Sequence, residues 1–202
     1  MPAPVSPRKS TADWIGAAFR AIAERGLAAV AVESLARELR VTKGSFYWHF
    51  KDRGALLKAA LRRWEHGQTE AIITYLEPIR DPRERLTLLL KGTLQQRKPA
   101  LELAILRAAD HPLVRPVLRR VSARRIGYLE QCYLKLGLPP EEARRRALLA
   151  YTAYVGFLHL THEAPERLPS EAELSAYRRH VVAALVPEGR RPRRRPARRG
   201  RL

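Results

Sequence analysis

The chain has a single cysteine, Cys132, in 202 residues. No internal disulfide can form, and no metal site built from several thiolates is possible. Such sparing use of thiols fits a reducing compartment, so a cytoplasmic location is expected. No apolar run reaches the roughly 18 residues that a membrane span needs. Arg8 and Lys9 are not followed by an apolar stretch, so no secretory signal is expected. Nothing alternates with a period of two, no segment repeats, and no glycine-rich phosphate loop is present. Ser/His/Asp and Cys/His constellations are missing too, as are paired carboxylates in an apolar context, so an enzyme is not expected. His159 and His162 stand three apart with only Glu163 beside them, and neither a metal nor a cofactor is expected.

Acidic residues are also scarce: 20 Asp and Glu face 39 Lys and Arg, a formal net charge of +19. This points to a polyanionic partner. Eight of the arginines lie after Gly189 (190, 191, 193, 194, 195, 198, 199 and 201), and removing them from +19 still leaves +11. The stretch 188–202 is Pro-rich and like-charged, so it is expected to be disordered. Two readings of it stand: sequence-blind phosphate contact through counterion release, or a solvated tail from an arginine-prone, GC-rich coding sequence.

What is present is helical periodicity, and the fold class expected is all-α with about nine helices. Pro4 and Pro7 make residues 1–10 a loose arm. Ser10 and Asp13 form a capping box for a first helix, whose buried face is Ile15, Ala18, Phe19 and Ile22, ending at Gly26. The fourth helix, capped by Asp52, carries Leu56, Leu57, Ala60, Leu61 and Trp64 and runs to about Leu76 before Pro78. Asp81-Pro82 opens a fifth, with Leu86, Leu89, Leu90, Thr93 and Leu94 on its stripe. Pro99 opens the sixth, which carries Leu103, Ile105 and Leu106. His111-Pro112 opens the seventh, which runs through Tyr128, Leu129 and Cys132 to Gly137. Pro139-Pro140-Glu141 opens the eighth. Ser170 and Glu173 box the ninth, with Leu174, Tyr177, Val181 and Leu185 on its face.

Residues 33–50, ESLARELRVTKGSFYWHF, carry most information. Leu35, Ala36 and Leu39 face inward from a second helix, Val41 fills a turn, and Thr42 is placed to cap a third helix. Only Phe46 and Phe50 of that helix face the core. Thr42, Lys43, Gly44, Ser45, Tyr47, Trp48 and His49 are left outside. Packing does not explain that set, whereas a nucleic-acid surface does: hydroxyls, an amine and ring donors reach phosphates and base edges, and Gly44 admits close backbone approach.

This run, with Lys51-Asp52-Arg53 and Leu56-Leu57 after it, resembles the DNA-binding domain of the TetR family of transcriptional regulators, from about Thr11 to about Trp64. Two departures stand out. The family usually has Gly where Arg40 lies, and a non-Gly residue at positive φ costs roughly 1 kcal/mol. It also often caps the second helix with Ser or Thr, where Ala31 and Val32 stand here. The resemblance implies a helix-turn-helix domain over 11–57 and a ligand-binding and dimerisation domain over 58–187. Its expected partners are double-stranded DNA with a palindromic operator, a second copy of the chain, and a small-molecule effector. The DNA-binding residues expected are Thr42, Lys43, Gly44, Ser45, Tyr47, Trp48, His49 and Lys51, with the resemblance supporting phosphate contact by Tyr47, His49 and Lys51. For Trp48 the alternative is packing against the first helix, and for His49 a hydrogen bond within the domain. An effector cavity is implied among helices four to eight. Its candidate liners are Trp64, Leu103, Leu106, Tyr128, Cys132, Tyr151, Tyr154 and His159, each of which is otherwise plain core.

The eighth helix reads ALLAYTAYVGFLHL from Ala147 to Leu160, apolar on every side. Such a helix must be covered all round. A small domain covers one face, and a second copy meeting it through the eighth and ninth helices would cover the other. Central burial in a monomer is the alternative. The function expected is a dimeric transcriptional regulator, a repressor released from DNA by an effector; a sequence-nonspecific DNA-coating protein is the other reading.

Overall fold

The structure, a computed structural model, describes residues 9–93 and 99–187. The helices are α1 (Thr11–Arg25), α2 (Val32–Leu39), α3 (Lys43–Tyr47), α4 (Arg53–Glu65), α5 (Ala71–Leu76), α6 (Pro82–Thr93), α7 (Ala100–Arg107), α8 (Arg115–Lys135), α9 (Pro140–Glu163) and α10 (Glu171–Leu185), with no strand among the described residues. The fold is therefore all-α. One wide π turn, His66–Glu70, joins α4 to α5, and the pair forms the single fourth rod expected from periodicity. Pro4 and Pro7 of the arm, Leu94 of the fifth stripe and the arginine tail lie outside the described residues.

Local chemistry sets the helix ends. The Ser10 backbone N–H donates to Asp13 Oδ2 at 2.7 Å, and the Asp13 N–H returns a bond to Ser10 Oγ at 3.2 Å. Gly26 leaves α1 at φ 80°. Arg40 closes α2 at φ 58°, ψ 44°, the left-handed conformation. Asp52 accepts the Ala55 N–H at 2.7 Å, and the Ser170–Glu173 box opens α10. One start needs correction. His111 heads a run of turns rather than a helix: its carbonyl accepts from Val114 and Arg115. Regular helix begins at Arg115, with Pro116 in its first turn. Proline has no N–H, so the helical ladder cannot pass through Pro116 and is set back to a turn where none is required.

Two apolar clusters form the core. The first gathers Trp14, Ile22, Leu35, Phe46, Leu57 and Trp64 from α1 to α4, and extends to Ile105, Val114, Val117 and Val121. It therefore crosses residue 57, and α7 lies along α1. The second joins Ile73, Leu86, Leu90, Tyr133, Ala147 and Leu185 from α5, α6, α8, α9 and α10. α8 belongs to both and is paired closely with α9.

Candidate nucleic-acid interface and inner cavity

α3 is fixed from below. Phe46 is wholly buried and Phe50 nearly so. The Phe46 ring meets Trp14 edge-on, with centroids 5.2 Å apart. Thr11 Oγ1 and His49 Nδ1 lie 3.2 Å apart, tying the end of the α3 turn to the start of α1. His49 is half-buried as a result. The other side of α3 is open. Tyr47 is 61% exposed and Trp48 87%, so Trp48 does not pack against α1. Thr42, Lys43, Gly44 and Lys51 are exposed and Ser45 half-buried. Thr42 occupies the capping position, yet its side chain makes no capping bond. A bare indole and phenol beside two ammonium groups form a surface that gains by being covered with something flat and anionic.

Lys43 makes an ion pair within the domain. Its Nζ lies 2.5 Å from Glu33 Oε1 across the α2–α3 angle, with both side chains 58% exposed. That hydrogen bond holds the Glu33 carboxyl below its ordinary range. The head is fastened to the long rod by Arg53, whose guanidinium donates to the Val30 carbonyl at 2.5 Å and to Leu27 at 3.0 Å. The α4 N-terminus and the loop before α2 are thereby tied together.

Beyond the head lies an inner cavity of about 600 Å³, its open mouth included. Ile72, Ile73, Leu89, Leu90 and Leu129 give it apolar walls. Tyr128, Tyr151 and Tyr154 supply hydroxyls, and Arg125 is the one cation among its described lining residues. Arg125 spans the π turn, where Nε donates to Thr69 Oγ1 at 3.0 Å and another nitrogen donates to the Gln68 carbonyl at 3.1 Å. A π turn widens the rod and frees carbonyls from the usual ladder, and this guanidinium engages one. Its third arm donates to Glu102 at 2.6 Å. Glu102, only 4% exposed, also accepts from Trp64 Nε1 at 3.2 Å and Tyr154 Oη at 3.1 Å. Burial and the Glu102 charge both push the Tyr154 phenol up.

Of the eight candidate liners, Tyr128, Tyr151 and Tyr154 are brought together on this cavity. Tyr151 Oη also meets Ser122 Oγ at 2.8 Å. Cys132 is buried behind Tyr128, and desolvation raises its thiol pKa, the wrong direction for a reactive thiolate. The other four do not line it. Trp64 belongs to the first core cluster, 5.7 Å beneath the Arg125 guanidinium. Leu103 and Leu106 lie on α7, away from the walls. His159 points outward and pairs with Glu163 at 3.1 Å, because the inward positions of that turn are taken by Phe157 and Leu158. Sequence reading missed Arg125 and Glu102. The signal was available: Arg125 falls on the Val121–Tyr128–Cys132 stripe, and Glu102 sits inside the apolar run ALELAIL.

α9 buries one face only. Ala143, Ala147, Ala150, Phe157 and Leu158 are inside, while Leu148, Leu149 and Leu160 are 52%, 57% and 41% exposed. Thr152, Ala153 and Gly156 lie between them, also exposed. Among the described residues no helix is long and apolar enough to cross a membrane, and no group of three or more His, Cys, Asp or Glu is placed to hold a metal ion.

Residues 15–60 match the family of bacterial regulatory proteins, tetR family. The chain is similar to the HTH-type transcriptional regulator AcrR of Shigella flexneri, 24% identical over 179 residues, covering 79% of this chain and 81% of that protein. Its fold is shared with a transcriptional regulator of Rhodococcus sp. Rha1 (TM-score 0.71, 21% identity, 88% of this chain and 96% of that one). Escherichia coli NemR in its reduced form is similar too (TM-score 0.69, 19% identity, 89% and 98%). A helix-turn-helix with its aromatic and basic side turned outward and the match over that same segment make residues 15–60 a tetR-family N-terminal domain, and the chain shares the helical architecture of the solved regulators it resembles.

Proposed function

We propose that this regulator acts as a homodimeric repressor, gripping a palindromic operator with two copies of α3 and releasing it when a small molecule enters the inner cavity. The observation that carries the reading is the outward stripe of α3, above all Trp48 and Tyr47, which no described residue covers. Thr42, Lys43, Gly44 and Ser45 open the recognition helix toward base edges and phosphates. Tyr47, Trp48 and Lys51 meet phosphate, sugar or a thymine methyl. His49 serves first as the strut to Thr11 and contacts DNA from that position.

A single short helix reads a few base pairs, each worth about 1–3 kcal/mol of discrimination, too little to single out one genomic site. A second copy doubles the readout and demands two-fold symmetry. The bare leucines of α9, with small residues between them, are the surface we assign to that partner, with α10 alongside. Arg125 supplies the coupling: it lines the cavity, grips the π turn of the α4–α5 rod and holds Glu102, which is bonded to Trp64 of the first core cluster. A ligand that shifts Arg125 favours a different spacing of the two heads, and its effect on DNA equals its differential affinity for the two states.

Selection of fragments from random DNA by the purified chain, followed by footprinting, tests this. Inverted half-sites about one helical turn apart are expected. The charge of +19 favours the second reading, a sequence-blind DNA coat. An operator-to-random affinity ratio near one at physiological salt, with residues 189–202 present and removed, would select the coat and reject the repressor.

A further inference from the structure

Tyr128 lines both the inner cavity and a second recess of opposite character. The second opens between the end of α5, α6 and the last turns of α8. It holds about 680 Å³, its mouth included, and its walls carry Arg85, Arg124 and Lys135 against one carboxylate, Glu77. Arg124 is paired with Glu70 at 3.1 Å. Arg85 spends its donors on the Glu77 and Ile79 carbonyls, which cap the end of α5 without cancelling its charge. Lys135 has no acid within ion-pair distance among the described residues. Counting Glu70 and Glu77 against the three cations, the recess is left net positive.

Tyr128 is the wall the two share. It is 7% exposed, and its hydroxyl has no hydrogen-bond partner among the described residues. Burial, with the Cys132 thiol alongside, pushes its pKa up to about 12, but a thiol is only a weak acceptor. A buried hydroxyl left unpaired is destabilising, and this one belongs to the residue that the apolar and the basic recess share.

We propose that the effector is an amphipathic anion, an apolar chain with a carboxylate or phosphate at one end. Its chain lies between Ile72, Ile73, Leu89 and Leu90, its head is held by Lys135 and Arg124, and the group joining them meets the Tyr128 hydroxyl. This rests on the reading of the inner cavity as the effector site, and it names the class of molecule that fits there. A neutral apolar compound would leave the basic recess unused, and a cation would be repelled from it.

The test is calorimetric titration of the full chain with three probes sharing a ten-carbon chain: decanoate, decyl phosphate and decanol. At least one anion is expected to bind tenfold or more tightly than decanol at 0.15 M salt, where long-range attraction to the basic protein is screened. Lys135→Glu should abolish that preference and Lys135→Gln reduce it, whereas Arg63→Glu, an equal charge reversal on exposed α4, should leave it intact. Tyr128→Phe should weaken anion binding about fivefold while the melting temperature of the free protein holds or rises, since an unpaired hydroxyl is removed. Equal binding of decanol and the anions, binding of none, or a preference that survives Lys135→Glu overturns the proposal. Operator binding by the ligand-free chain is measured separately, so a failed ligand class leaves the DNA reading standing.

Discussion

Arg125 and Glu102 form a buried pair, 2.6 Å apart, with the guanidinium stacked between the Trp64 and Tyr154 rings at 5.7 and 5.8 Å. Burial alone would lower the Arg125 pKa, but the charge and hydrogen bond of Glu102, with Tyr154 and Tyr151, together outweigh it and hold the group above its ordinary value. One carboxylate thus satisfies partners on α4, α8 and α9 together.

Removing that charge should be costly. Glu102→Gln leaves Arg125 desolvated without a counter-ion, and one-sided loss of a buried pair costs about 3–5 kcal/mol. The urea midpoint should fall with the slope unchanged. Replacing both partners, as in Glu102→Leu with Arg125→Leu, should restore a large part of the loss. A single-variant effect within about 0.5 kcal/mol of wild type would mean the pair is not what holds α7 to α8.

Arg40 sits in left-handed backbone at φ 58° with its side chain exposed. Gly at this place removes a penalty of about 1–2 kcal/mol and adds back about 0.4–1 kcal/mol of unfolded-chain entropy. Arg40→Gly should therefore raise stability by about 0.5–1 kcal/mol, read from thermal unfolding. Arg40→Val, β-branched, should destabilise.

The DNA-facing end is written locally, which is why it was legible. Capping pairs three residues apart, the i, i+4 Phe46–Phe50 face and the positive-φ demand at Arg40 all act within one or two turns. The cavity is not local. Arg125 looks like half of a solvated Arg-Arg pair until the π turn brings Thr69 and Gln68 to it from more than 50 residues away. The π turn has no composition of its own, and His159 shares the helical spacing of Phe157 and Leu158 closely enough to be misplaced by one position. A hydrophobic pattern says which face is apolar. It does not say how much of that face the chain's own core covers, and for α9 the core covers one side of the helix only.

The uncovered side of α9 gives a sharp prediction. Leu149→Arg places a charge at the centre of the leucine patch without touching the buried Ala147 or Ala150. In sedimentation at micromolar concentration the wild type should run as a dimer and the variant as a monomer with unchanged helical content. Operator affinity should fall by at least 10²-fold, because one head forfeits the second half-site's contribution. A wild type that sediments as a monomer removes the symmetric-operator reading altogether.

If Lys43 meets phosphate as proposed, its pairing with Glu33 competes weakly with DNA. Lys43→Ala should lower operator affinity and flatten the salt dependence by about 0.9 in slope for each phosphate no longer neutralised, so about two for a symmetric pair of heads. Glu33→Gln should act the other way, freeing the ammonium and removing a negative charge from the groove-facing side. The pH dependence follows with a definite sign. Glu33 is held below its ordinary pKa by Lys43, so the pairing is fully present above the unfolded carboxylate range and is lost as pH falls through the lowered value. Acidification into that window should release Lys43 and strengthen DNA binding in the wild type, and Glu33→Gln should show no such rise. Titrating affinity against pH for both proteins decides it: parallel curves would mean that Lys43 reaches the phosphates without leaving Glu33.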